Sequence, residues 1–430
     1  VTARAQVLAW DSQHVWHPYT QMLERRDGSP PLLVRSARGA RLYDFDGKSY
    51  LDGNASWWAC ALGHQHPRLV AALKEQASEL CHVALAGITH QPAAELASEL
   101  VRVAPAGLLK VFYSDNGSTA VETALKLSLQ YWAQNGRPER RRFLALEGAF
   151  HGETLGAVSV SGLDVFRRAF GGVVVDCLRV PPGADGHARA FEVAQQLIAQ
   201  QENQLAAVIV EPLVQAAAGM RIYSTELLRE LRCSTERFDV LLICDEVFTG
   251  FGRTGPLWAC SVAGIAPDLL CLGKGFTGGM LPMAATLASE RLFEGFLGER
   301  ERTFFHGHTF CGNPLGAAVA REVLRVFEDE QVIERAAGKA LRIAGAFAGF
   351  ANLPGVTATR SFGMIGALDL AGGSGYLATR GQRVYRRALE LGAYLRPLGN
   401  TVYITPPINV DDGELEALLG IVEESVRFAS

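Results

Sequence analysis

From about residue 68 to about residue 320 one pattern recurs: a short apolar run, a turn containing Gly or Ser, then a longer stretch with helical spacing. LKVFY, RFLAL, LAAVIV, DVLLIC and DLLCL are runs of five or six residues, too short for helices and too uniformly apolar for strands with one wet face. They suit parallel strands covered on both sides. RLVAALKEQASEL and PAAELASELVRVA place apolar residues at helical spacing. Strand alternating with helix predicts an α/β fold built on a mostly parallel central sheet.

The two ends read differently. ARLYDFDG and FGMIGALDL are short strands, and a last helix follows Asp411 and Asp412. Residues 1–67 and 331–430 are therefore expected to form a smaller α+β domain together, with 68–330 as the large domain. No period of about 20 to 50 residues recurs, which excludes a repeat solenoid.

Composition narrows the function classes. The 430 residues carry 41 Lys plus Arg against 45 Asp plus Glu, a net charge of -4, with no long run of like charge, so nucleic acid is not expected as a partner. No apolar stretch approaches the ~18 residues of a membrane span, and the opening VTARAQVLAW lacks the pattern of a secretory signal. The expectation is a cytoplasmic protein that does not engage a membrane. The 8 cysteines include no C-x-x-C pair, which favours reduced thiols and no metal site. His64 and His66 in GHQHP are read as a loop or helix-entry turn.

In an open parallel sheet, ligands lie outside the carboxyl ends of the strands. The residues following the five apolar runs are SDNGSTAVETALK, EGAFHGET, Glu211, Asp245 and GKGFTGG with Lys274, all expected to converge on one crevice. Asn116, Gly117, Ser118 and Thr119 open a helix, with Thr119 and Glu122 spaced as a capping box. Such a helix start offers free N–H groups to a phosphate, although taken alone an ordinary capped helix is the better explanation, and the neighbouring strand ends must raise the phosphate reading. A phosphate cradle, a carboxylate ending a buried strand and a lysine ending the next are the three parts that pyridoxal phosphate needs: an anchor, a partner for the pyridinium nitrogen, and an amine to condense with its aldehyde. Gly273, Gly275 and Gly278 also spell G-x-G-x-x-G, but they lead into GMLPMAATLA, where Pro282 favours another strand rather than the helix that a dinucleotide turn requires.

CDEVFTGFGRTG followed by PDLLCLGKG resembles the signature of the fold type I, class III (omega) aminotransferases, and the resemblance runs along nearly the whole chain. It implies a pyridoxal 5'-phosphate enzyme that works as a homodimer with shared sites. Lys274 would hold the cofactor and shuttle the proton, Asp245 would hold the pyridinium, and Gly117 and Ser118 the phosphate. His308 and Thr309 would reach that phosphate from the neighbouring subunit. Phe150 matches the ring that covers the cofactor, and His151, Glu211 and Val247 line its other edges. Tyr19, Trp57 and Trp58, with Gly307 from the neighbouring subunit, look like the substrate pocket; Tyr19 also matches a catalytic position.

HVWHPYTQM, GNASWWACALGH, HGHTFCGNPLG and RPLGNTVYITPP are similar to the branch of the family that aminates 8-amino-7-oxononanoate in biotin biosynthesis. Arg396 can take that substrate's carboxylate as a bidentate pair, and the tryptophans can pack its methylenes. Arg253 is expected as a second substrate-facing or loop-ordering arginine. Three positions depart from the branch: Phe150 stands where tyrosine is usual, Glu153 where aspartate is common, and His308 where proline is common. HGHT is more similar to a minority that takes its amino group from lysine than to the members using S-adenosylmethionine. The other readings are an omega-aminotransferase acting on a diamine or ω-amino acid, and a noncatalytic cofactor-binding homologue.

Overall fold

In the computed structural model, residues 3–27, 30–173, 175–181, 187–373 and 375–429 are described. The central sheet has seven strands in the order Leu108–Ser114, Ala284–Ser289, Leu269–Leu272, Leu241–Asp245, Leu205–Val210, Arg142–Leu146 and Cys177–Val180. Ala284–Ser289 runs antiparallel to both its neighbours; the other adjacent pairs are parallel. Every residue of Leu205–Val210 and Leu241–Asp245 is buried, as strands covered on both faces must be. The Gly117–Gln134 helix lies on one face, where Trp132 Nε1 donates to Ala206 O at 2.8 Å.

GMLPMAATLA does become a strand, Ala284–Ser289, and the glycines around Lys274 enclose a 3₁₀ turn, Lys274–Thr277. No helix opens there, so a dinucleotide cradle is absent at this turn. The capping box lies one turn earlier than expected. Asn116 is extended, at φ -155° and ψ 170°, and its side chain takes the N–H of Thr119, whose hydroxyl accepts from Asn116 N. Glu122 instead accepts from Thr154 Oγ1 at 2.6 Å and Ala157 N at 3.1 Å, which ties the helix to the segment after Arg142–Leu146.

Both chain ends enter one small sheet. Val34–Arg38, Arg41–Asp44 and Ser49–Asp52 form an antiparallel meander, and Ala393–Tyr394 pairs parallel with Ser49–Asp52. Val356–Phe362, Ile365–Leu370 and Thr401–Ile404 form a second antiparallel sheet, and the last helix spans Asp412–Ala429. The short parallel pairing matters for the site, because Asn54 follows one strand and Arg396 the other. Asn54 Oδ1 accepts from Arg396 N at 2.6 Å.

Candidate active site

All five strand ends meet in a cavity of about 560 Å³, lined by Asp115–Ser118, Phe150–Glu153, Glu211, Asp245 and Lys274, with Tyr19, Ser56–Ala59 and Arg396 from the chain ends. Lys274 stands at φ 46°. Its Nζ lies 5.0 Å from the Trp58 ring centroid, and among the described residues it has no hydrogen-bond or ion-pair partner. Burial lowers its pKa, against the pull of the Asp245 and Glu211 charges. A half-buried, partly desolvated amine that lines the cavity without a fixed partner is available for chemistry in a way that a solvated loop lysine is not.

Asp245 is buried at the end of its strand. Its Oδ2 lies 2.8 Å from His151 Nδ1, and its Oδ1 accepts from Val247 N at 3.1 Å. The two bonds fix the carboxylate plane against the cavity. At the start of the Gly117–Gln134 helix, a Cβ on Gly117 would stand 2.5 Å from Val247 Cγ1. Only glycine lets the helix's first N–H groups approach this closely to the strand ends. Ser118 Oγ accepts from Glu153 N at 3.0 Å, which closes the other side of the turn.

The opposite wall is aromatic. Phe150 packs edge-on against Phe166 at 5.4 Å, Phe166 against Tyr19 at 5.8 Å and Tyr376 at 5.2 Å, and Tyr19 against Trp57 at 5.0 Å. The Arg396 guanidinium lies 3.9 Å from the Trp57 ring centroid. Tyr19 OH donates to Glu153 Oε1; burial, then this carboxylate, raises the phenol's pKa. The tryptophans sit on a left-handed turn, with φ of 46°, 45°, 61° and 74° at Ala55, Ser56, Trp57 and Trp58. For L-residues this conformation costs roughly 1–2 kcal/mol each, so surrounding contacts must hold it.

The family model "Aminotransferase class-III" matches residues 22–426. The chain belongs to the class-III aminotransferase family. It is 40% identical over 441 residues to the adenosylmethionine-8-amino-7-oxononanoate aminotransferase of Geobacter sulfurreducens, covering 97% of this chain and 96% of that one. The crystal structure of the enzyme of that name from Methanocaldococcus jannaschii superposes with a TM-score of 0.95 at 34% identity, covering 99% of each chain. An amine transaminase from an uncultivated Pseudomonas species, solved in its PLP-bound form, gives 0.91 at 29% identity over 97% of this chain and 99% of that one. The protein is thus an aminotransferase of fold type I that depends on pyridoxal 5'-phosphate.

Not every expected residue of this aminotransferase lies in the cavity. Arg253 does not face substrate space: it is buried and donates from Nη1 to Pro406 O at 2.7 Å. Burial pulls its pKa down to about 9. It orders the GFGRTG loop against the second small sheet. Gly307, His308 and Thr309 are also outside the cavity of their own chain, though His308 Nδ1 is 3.1 Å from Asp115 Oδ2 on the rim. Several lining residues were not expected, and two of them, Phe166 and Tyr376, belong to the aromatic wall. Both lie in segments without strand or helix periodicity, so only their aromatic character marked them.

Glu211 carries a pH prediction. It is buried, accepts from Phe150 N at 3.0 Å and Ala216 N at 2.9 Å, and is pushed up to about 7 by burial, which outweighs the His151 charge and those two bonds. Its folded pKa lies above the unfolded one, so between the two the native state binds more protons and stability falls as pH rises. Relative to Glu211→Gln, the cofactor-free protein is expected to lose on the order of 3 kcal/mol between about pH 4.5 and 8, then level off. Denaturant unfolding of both proteins across that range measures it; a difference independent of pH contradicts the assignment.

Proposed function

We propose that this aminotransferase transfers an amino group to the 7-ketone of 8-amino-7-oxononanoate, giving 7,8-diaminononanoate for biotin synthesis, with S-adenosylmethionine as the donor. The observation that carries the proposal is the Arg396 guanidinium, stacked 3.9 Å from Trp57 while the adjacent Trp58 faces Lys274. A cation beside an apolar aromatic wall, with the Lys274 amine next along it, suits a substrate with a carboxylate on a flexible alkyl chain. Relatives named for this reaction match over nearly the full length, which supports the same reading.

The residues present fit pyridoxal phosphate: an unpartnered amine lining the cavity, a carboxylate held by His151, and a helix start where a Cβ on Gly117 would crowd Val247. In this reading Lys274 holds the cofactor and Asp245 its pyridinium nitrogen. The first N–H groups of the Gly117–Gln134 helix and the Ser118 hydroxyl bind the phosphate. Phe150, Val247, His151 and Glu211 frame the ring. When bound, the cofactor supplies the electron sink and the carbonyl that stores the amino group between the two half-reactions. Lys274 Nζ takes the proton from the donor's carbon and returns one to the acceptor's carbon in the second half-reaction. Arg396 pairs the acceptor's carboxylate, the tryptophans cover its methylenes, and Glu153, fixed by Tyr19, offers a negative charge to an ammonium.

The active unit in this proposal is a homodimer. Phe305 and Phe310, 80% and 56% exposed, flank Gly307, His308 and Thr309, and an apolar collar of this kind favours burial against a second copy. The same three residues would then complete the second copy's cavity. A cytoplasmic location belongs to the reading and is supported by the 8 cysteines, free in this structure. Among the described residues no helix is long and apolar enough to cross a membrane.

Lysine is the second reading for the donor, favoured by His308 in the HGHT segment. Mixing the pyridoxal form separately with S-adenosylmethionine and with lysine, in a single turnover, decides between them. Loss of the pyridoxal absorbance with S-adenosylmethionine alone is expected. Conversion by lysine alone transfers the donor role, and conversion by neither removes both.

A further inference from the structure

The turn that carries the tryptophans is left-handed over four consecutive residues, Ala55 to Trp58, none of them glycine. Single left-handed residues are ordinary in turns, whereas a run of four L-residues relaxes unless contacts from outside fix it. Within the turn the backbone supplies Trp58 N to Asn54 O at 2.8 Å and Cys60 N to Ala55 O at 3.0 Å. Side chains supply the rest. Asp52 is buried at the end of the Ser49–Asp52 strand. Its Oδ2 accepts from Ser56 Oγ at 2.7 Å, in the middle of the turn, and lies 2.9 Å from His64 Nε2.

His64 is itself anchored. Its N–H donates to Gly39 O at 2.8 Å and its carbonyl accepts from Gly39 N at 3.0 Å. A Cβ on Gly63 would stand 2.9 Å from Gly39 O, so the approach needs glycine there. The other imidazole nitrogen, Nδ1, lies 3.6 Å from Cys60 Sγ. Burial pulls the imidazole's pKa down, but the bonds to Asp52 and Cys60 outweigh it and push it up to about 10. The pair is therefore ionic at neutral pH, the stronger kind of hydrogen bond. Neither Asp52 nor His64 lines the cavity, whereas Ser56, Trp57 and Trp58 do.

We propose that the Asp52–His64 ion pair is a positioning element for the acceptor pocket: by gripping Ser56 it holds the left-handed turn that sets Trp57 against Arg396 and Trp58 against Lys274. The inference rests on the reading of the tryptophans as the wall that covers the acceptor. Asp52 and His64 act through Ser56 and touch no reacting atom. Their loss should therefore be felt in how the acceptor is held, with Lys274 and Asp245 left in place.

The test compares His64→Gln, Asp52→Asn and the double variant with the wild-type holoenzyme, using whichever carbonyl acceptor the wild type aminates. Failure of the wild type on 8-amino-7-oxononanoate thus strikes the substrate reading and leaves this comparison intact. Each single variant is expected to raise the acceptor KM about tenfold with kcat within about threefold, the loss of one charge-assisted bond. The double variant should be no worse than the worse single, because the two residues act as one unit. Adding Ala55→Gly to His64→Gln should recover most of the KM, since glycine enters the left-handed region without the steric cost. Thermal unfolding is recorded alongside. An unchanged KM in both single variants, whatever their Tm, or losses that add in the double variant, overturns the proposal; Asp52→Asn carries the comparison if the His64 variant does not fold.

Discussion

Lys274→Ala is expected to lose turnover by a factor on the order of 10⁴ or more while keeping its fold, because one atom, Nζ, serves both as the covalent attachment and as the acid and base. The structure gives a reason to expect the fold to survive. Nζ has no hydrogen-bond or ion-pair partner among the described residues, so its removal leaves no orphaned group behind, and partial desolvation, which lowers its pKa, disfavours the ammonium in the folded state. Alanine at φ 46° inherits the backbone strain of the lysine and adds none. Thermal unfolding and borohydride labelling separate the effects: Tm within a few degrees of wild type, no labelled lysine, and no turnover. Residual activity above about a tenth of wild type would sink the assignment.

Arg396→Ala is expected to raise the acceptor KM by roughly 10² to 10³, the effect of losing two charge-assisted hydrogen bonds to a carboxylate. The donor half-reaction should change by no more than a few-fold. The backbone bond from Arg396 N to Asn54 Oδ1 at 2.6 Å survives the substitution, so the adjoining strand pairing stays in place. What disappears is the guanidinium 3.9 Å from Trp57 and 5.7 Å from Tyr19. Arg396→Lys should recover only part of the loss, because an ammonium lacks the planar fork and stacks less well on the indole. Half-reactions measured separately make the distinction, and equal losses in both would assign Arg396 to general integrity of the cavity.

The parts of this site that were legible in the sequence share one physical cause. A parallel strand buried on both faces stays apolar up to its carboxyl end, so the first polar residues at or beyond the ends of LAAVIV, DVLLIC and DLLCL stand out as Glu211, Asp245 and, one glycine later, Lys274. The helix start was legible as a place but not in detail. Asn116 with Thr119, and Thr119 with Glu122, both have the spacing of a cap; which is used depends on the extended backbone at Asn116, a tertiary choice. Arg253 sits in a recognisable motif, yet its partner is the carbonyl of Pro406, far along the chain. Of the two roles expected for it, its contacts show the loop-ordering one, and nothing local decided between them.

Other features left no local mark. Phe166 lies in the four-residue helix Asp164–Arg167 and Tyr376 in an irregular stretch, so neither belonged to a periodic pattern. The left-handed turn at Ala55–Trp58 contains no glycine, the residue that usually signals that conformation. Its support from Asp52 and His64 is a contact between separate elements, and GHQHP alone pointed only to a turn entering a helix. That much was correct: the Pro67–Glu79 helix begins there with His66 as its N-cap residue.

The central claim is the identity of the acceptor, and the most direct measurement supplies the holoenzyme with S-adenosylmethionine and, in separate reactions, 8-amino-7-oxononanoate, 2-oxoglutarate and a simple aldehyde, with the aminated products read by mass spectrometry. The account predicts 7,8-diaminononanoate from the first, at a rate at least about a hundredfold above the other two, in line with a carboxylate held by Arg396. Efficient amination of 2-oxoglutarate or the aldehyde, with no 7,8-diaminononanoate formed under either S-adenosylmethionine or lysine, would contradict it and make the protein a broader omega-aminotransferase.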